Sequence, residues 1–114
     1  MQGRAKLRYY RSSPRKVRLV ADLVRGKPIE RALTTLQLSQ KYAARDVEKL
    51  LRSALANLEA ADPGVDVDQV VVKRITVDDG PRLRRGRPAS KWVRMHRILK
   101  RMCHITVDLA VRES

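Results

Sequence analysis

The chain has 114 residues, 26 of them Lys or Arg and 12 Asp or Glu, for a formal net charge of +14. That length supports one domain, and with no Phe and one Trp its core must come from Val, Leu, Ile and Ala. So small an aliphatic interior leaves little room for the deep pocket of a large-cofactor enzyme, and apolar runs such as Val70-Val71-Val72 fall far short of the roughly 18 residues a membrane span needs.

Residues 4–11 alternate loosely around Leu7, Tyr9 and Tyr10, which predicts a short strand before Ser12-Ser13. Ser13 can cap a helix through its hydroxyl, Pro14 suits the first helical position, and Gly26 can close the far end, so residues 14–25 should be helical. In that helix Val17, Val20, Ala21 and Val24 form the buried stripe, leaving Arg15, Lys16, Arg18 and Arg25 to project elsewhere. A second, shorter helix opens at Pro28 with Ile29, Ala32, Leu33 and Leu36 repeating. Ser39 then caps a third over 40–61, whose period runs Ala43, Ala44, Val47, Leu50, Leu51, Ala54, Leu55 and Leu58, with Glu48 and Arg52 spaced for an ion pair. Asp62-Pro63-Gly64 ends it in a turn.

The run 69–77 is β-branched and alternating, with Val71, Lys73, Ile75 and Val77 expected on one face and Val70, Val72, Arg74 and Thr76 on the other. Ile105, Val107, Leu109 and Val111 mark a last strand that should pair antiparallel with it. Residues 78–104 then become a hairpin connection far longer than usual. If its arms stay extended, the tip stands roughly 35 Å from the body, at about 3.3 Å per residue. The pattern as a whole is α+β: three helices packed on a small antiparallel sheet, with a long protruding β-hairpin, in a single domain spanning 1–114.

Charge is distributed unevenly over these elements. Residues 1–27 hold nine Lys or Arg against one acid, residues 28–81 seven against nine, and residues 82–114 ten against two. Between Arg82 and Arg101 there are nine cations and no Asp or Glu. Two strongly positive segments flanking a nearly neutral body form an electrostatic footprint for phosphate, since each phosphate neutralised releases condensed counterions. Repulsion within the second segment predicts that it stays mobile until a polyanion screens it. The segment lacks the apolar face of an interfacial helix, so a membrane is not the expected polyanion. The basic opening Gln2-Gly3-Arg4-Ala5-Lys6 does not read as a secretory signal, and the single Cys103 fits a reducing, cytosolic compartment.

Four ordered motifs carry a resemblance. Ser13-Pro14-Arg15-Lys16-Val17-Arg18-Leu19-Val20-Ala21-Asp22-Leu23-Val24-Arg25-Gly26-Lys27, Leu51-Arg52-Ser53-Ala54-Leu55-Ala56-Asn57, Val77-Asp78-Asp79-Gly80-Pro81, and Arg97-Ile98-Leu99-Lys100-Arg101 with His104-Ile105-Thr106-Val107 resemble the bacterial large-subunit ribosomal protein twenty-two family, from about residue 5 to 111. The resemblance implies a structural constituent of the ribosome in the cytoplasm that binds 23S-type large-subunit rRNA early in assembly. Its hairpin would reach the wall of the nascent-peptide exit tunnel, with other large-subunit proteins and the nascent peptide as partners, and with no cofactor, metal, membrane, small-molecule substrate or catalytic activity. By resemblance and charge together, the RNA-binding set is Arg4, Lys6, Arg8, Arg11, Arg15, Lys16, Arg18, Arg25, Lys27, Arg82, Arg84, Arg85, Arg87, Arg94, Arg97, Lys100 and Arg101, and Pro88, Ala89, Ser90, Lys91, Trp92 and Val93 are the tunnel-tip residues. The chain departs from the family at the tip, which is one residue longer and carries Trp92, and at Met102-Cys103, where hydroxyl residues are usual.

Two other readings compete for parts of the sequence. Arg85-Gly86-Arg87-Pro88 matches the core of an AT-hook, which would make the chain an architectural DNA-binding protein; the match is four residues long and lies between two good strands. Cys103 beside His104, with His96 nearby, could mark a metal or a nucleophile, but no second Cys or acid shares the segment, so a small core Cys and a polar His at a strand start are expected. Trp92 reads equally as a base-stacking residue or as a local hydrophobic anchor.

Overall fold

β1 (Gln2–Tyr10) leads into α1 (Pro14–Val24), followed by α2 (Ile29–Leu38), α3 (Ala44–Ala61), a 3-10 turn (Val67–Gln69), β2 (Val70–Arg87) and β3 (His96–Val111). The computed structural model describes residues 2–87 and 96–111. The strands form one antiparallel sheet in the order β1-β3-β2, so the last strand is central and both its neighbours are edges. α3 packs on β1 and β3, α1 lies along β2, and α2 joins the other two helices. The α+β class and the three helices agree with the sequence pattern.

Helix periodicity and burial coincide. Val17, Val20, Ala21 and Val24 of α1, Ile29, Ala32 and Leu36 of α2, and Val47, Leu50, Leu51, Ala54 and Leu58 of α3 meet Ile105, Val107 and Leu109 of β3 in one core. β1 approaches α3 so closely that a Cβ on Gly3 would stand 2.4 Å from the Ala54 carbonyl oxygen, so only glycine fits there. The expected Glu48–Arg52 pair forms on α3, at 2.8 Å.

Three local expectations need correction. Ser13 stands at the N-cap of α1 with Pro14 after it, but its hydroxyl makes no cap; its carbonyl instead accepts from the Lys16 and Val17 N–H groups at 3.1 and 3.2 Å. Ser39 closes α2 rather than opening α3. Its hydroxyl accepts from the Lys41 N–H at 3.3 Å, a local turn that competes with helix, and α3 begins only at Ala44. In β2 the alternation changes phase: Val70 and Val72 are buried, then Ile75 and Val77. The register with β3 slips between Val72 and Arg74, a β-bulge at Lys73 that inserts one residue and returns the apolar side chains to the core.

Two more bulges flank β3 where the hairpin leaves the body. The β1 register slips between Leu7 and Tyr10, and the β2 register between Asp79 and Arg82. In the first, Tyr9 takes a left-handed conformation (φ 56°), its N–H donates to His104 Nδ1 at 3.0 Å, and the two rings meet edge to face at 4.9 Å. The second contains Pro81, whose missing N–H a bulge tolerates. Beyond it the ladder of β2 and β3 continues from Arg82 opposite Arg101 to Arg87 opposite His96, giving an elongated molecule of 66 × 25 × 18 Å. The arms are extended among the described residues, the condition under which the sequence pattern places the tip far from the body; the tip residues 88–95 lie outside the described residues.

Candidate nucleic-acid interface

α1 turns its apolar stripe to the core and so presents Arg15, Lys16, Arg18 and Arg25 on the exposed side. At the root of the hairpin a cleft of about 160 Å³ is lined by Arg15, Arg18, Asp79, Gly80 and Arg101, which joins the two positive segments that are far apart in sequence. Fold, not sequence proximity, brings these three cations together around Asp79.

Arg18 and Arg25 also have a structural task that the sequence does not reveal. β2 is an edge strand, and its outward carbonyls need donors. Arg18 Nη2 donates to the Val77 carbonyl at 3.0 Å and Arg25 Nη2 to the Ile75 carbonyl at 3.0 Å. One step further along, the Gly26 N–H donates to the Val72 carbonyl at 3.0 Å, and the Val72 N–H to the Lys27 carbonyl at 2.9 Å. Arg18 also faces Asp79 at 3.7 Å and Arg25 pairs with Asp22, yet both side chains remain about half exposed, 51% and 48%, and a guanidinium with five N–H donors keeps some of them for a further anion.

On the sheet face away from the helices, Arg4, Lys6 and Arg8 of β1 are exposed. Arg4 is committed within the protein: its Nε and Nη2 donate to Asp108 Oδ1 and Oδ2 at 2.7 and 3.4 Å, matching the charge of a carboxylate only 6% exposed. Lys6 and Arg8 line an open cleft of about 290 Å³ with Asp78, His104 and Thr106. Arg11 follows β1 directly and lines a 430 Å³ cleft with Lys16.

That larger cleft brings in residues that segment-wise charge counting misses. Lys41 and Tyr42 line it, and they also line a neighbouring 590 Å³ cleft together with Arg45 and Lys49. The nominal neutrality of 28–81 hides these cations because many of its acids lie elsewhere: Glu30 stands beside Asp68, whose hydrogen bond and charge push the Glu30 carboxyl above its ordinary value. Asp46, which lines the second cleft, accepts a hydrogen bond from the Tyr10 hydroxyl, and Glu48, which pairs with Arg52, also feels the charge of Arg45. The available signal was the four-residue spacing of Arg45 and Lys49, which puts them on one side of the first turns of α3, with Lys41 just before the helix.

Arg82, Arg84, Arg85, Arg87, Arg97 and Lys100 lie on the paired backbone of the arms, but their side chains are outside the described residues, as are Arg94 and the tip residues Pro88, Ala89, Ser90, Lys91, Trp92 and Val93. Arg85-Gly86-Arg87 lies within the β2–β3 ladder, a setting unlike the free segment an AT-hook requires. Cys103 and His104 do not converge on one centre. The thiol is buried in the core, where desolvation pushes it above its ordinary pKa and away from the nucleophilic thiolate, while His104 accepts from Tyr9 outside.

The chain matches the pattern of the family described as ribosomal protein L22p/L17e over residues 5–110. It is also similar to the large ribosomal subunit protein uL22 of Solibacter usitatus (strain Ellin6076), 45% identical over 114 residues that cover all of both chains.

Proposed function

Because the chain belongs to the ribosomal protein L22p/L17e family, and is thereby a structural, non-catalytic protein of the large ribosomal subunit in the cytoplasm, we propose that its cationic surfaces bind large-subunit rRNA and that its hairpin contributes to the wall of the peptide exit tunnel. The observation that carries this reading is the meeting of Arg15, Arg18 and Arg101 at the hairpin root, which continues the positive face of α1 onto the arms. Arg4, Lys6, Arg8, Arg11, Lys16, Arg25 and Lys27 extend that surface over the body, with Arg4 confined mainly to its Asp108 partner.

The arms suit a path between RNA segments. Cations occur at adjacent positions of an extended chain, Arg84-Arg85 and Lys100-Arg101. Early binding of such a protein would hold RNA segments together during subunit assembly, with other large-subunit proteins as neighbours and the nascent peptide passing residues 88–93. The same like-charge repulsion keeps arm amides exchanging faster than body amides until RNA is bound.

Sedimentation tests the reading. The tagged chain should travel with large subunits and their assembly precursors, and a ribosome lacking residues 88–93 should show altered crosslinking of nascent chains to this protein. A chain that remains at the top of the gradient in growing cells contradicts it.

A further inference from the structure

Tyr42 is 84% exposed, an unusual position for a large ring, and it stands where two cation-lined clefts adjoin. Arg11 and Lys16 line the cleft on one side, Arg45 and Lys49 the cleft on the other, and Lys41 belongs to both. The one carboxylate among these side chains, Asp46, accepts the Tyr10 hydroxyl. The surface is therefore positive on both flanks with an aromatic ring between, and its lining residues belong to the helices and the loops that join them to β1 and to one another.

An exposed aromatic ring between cations matches single-stranded nucleic acid, in which a base stacks on the ring and the adjoining phosphates meet the charges. An acidic peptide would satisfy the cations but would leave the ring without a planar partner. We propose that Tyr42 is a stacking platform for an unpaired nucleotide of the rRNA, with the preceding and following phosphates held by Arg11 and Lys16 on one side and by Arg45 and Lys49 on the other. This gives the protein a second RNA contact independent of its hairpin, and it rests on the rRNA-binding reading above.

The test is equilibrium binding of the full chain to a large-subunit rRNA transcript, over a series of salt concentrations, for the wild type, Tyr42→Ala, Tyr42→Phe and Arg45→Gln/Lys49→Gln. Loss of a stacked base should weaken Tyr42→Ala by about tenfold with an unchanged salt slope, while Tyr42→Phe, which keeps the ring, binds as the wild type does. The double Gln variant should bind more weakly with a shallower salt slope, because it removes phosphate contacts. Wild-type affinity in Tyr42→Ala, or equal losses in Ala and Phe, overturns the platform while leaving rRNA binding intact. Unchanged RNA affinity in Tyr42→Ala together with loss of a neighbouring protein from the assembled subunit assigns the surface to a protein and likewise overturns it. A wild type that does not bind the transcript sinks the rRNA-binding reading and this inference with it.

Discussion

β2 and β3 run through two regions built on opposite principles. Below the bulge at Gly80-Pro81 they are part of a three-stranded sheet whose Val70, Val72, Ile75, Val77, Ile105, Val107 and Leu109 are buried under the helices. Above it, among the described residues, the ladder is two-stranded, because β1 ends at Tyr10 opposite Cys103, and its register sets Arg82 opposite Arg101. The first region is stabilised by apolar burial and needs no partner. A lone two-stranded ribbon is marginal in water, and like charges set opposite each other weaken it further. The contrast teaches that apolar burial holds the body, that the arm has no comparable core among the described residues and is the part for which a polyanion is proposed as partner, and that the paired bulges are the joint between them.

Mutations that damage one region and spare the other test that division. Leu51→Ala should have the largest effect on stability, about 2–5 kcal/mol, because it leaves a cavity among fully buried neighbours; urea unfolding measures it. Replacing residues 80–102 by Asn-Gly, which joins Asp79 to its register partner Cys103 through a two-residue turn, should leave the body's unfolding midpoint nearly unchanged. The same replacement should weaken rRNA binding by at least about 100-fold near physiological salt. A body that unfolds without the arm would show that the regions are not separable.

Smaller effects probe joints within the body. Burial, and then the hydrogen bond to Asp46, raise the Tyr10 phenol above its ordinary pKa, so the folded protein keeps the hydroxyl protonated longer than the unfolded chain does. Its contribution is complete below about pH 10 and is lost as pH rises beyond that. Tyr10→Phe should cost about 1 kcal/mol at neutral pH and should remove this alkaline component of the stability curve. The Glu48 carboxyl is lowered, chiefly by its hydrogen bond to Arg52, so its contribution is present above the ordinary carboxylate value and disappears as acid titrates through the lowered one. Glu48→Gln should cost only about 0.3–0.5 kcal/mol at neutral pH and nothing in strong acid.

The sequence made the helices and the final strand legible, because each rests on local period: three- and four-residue spacing in α1 and α3, strict alternation from Cys103 to Leu109; the hairpin followed from the pairing of the strands that flank it. It was misleading where two local solutions have similar residues. Ser39 would serve equally at the end of α2 or the start of α3, and the alternation in β2 reads as continuous until a bulge at Lys73 absorbs one residue. The site was legible as charge but not as arrangement. The carbonyl contacts of Arg18 and Arg25, the Arg4–Asp108 pair and the gathering of Lys41, Tyr42, Arg45 and Lys49 with Arg11 all depend on which elements become neighbours. Summing charge over 28–81 erased that last group, because acids that line neither cleft were counted against it.

The most direct test of phosphate neutralisation as the basis of binding is the affinity of the intact protein for large-subunit rRNA as a function of salt. Its logarithm should fall linearly with the logarithm of salt concentration, by roughly 0.7–0.9 for each phosphate held, and the slope should shrink when residues 80–102 are replaced. An affinity that stays constant across the salt series would contradict the account.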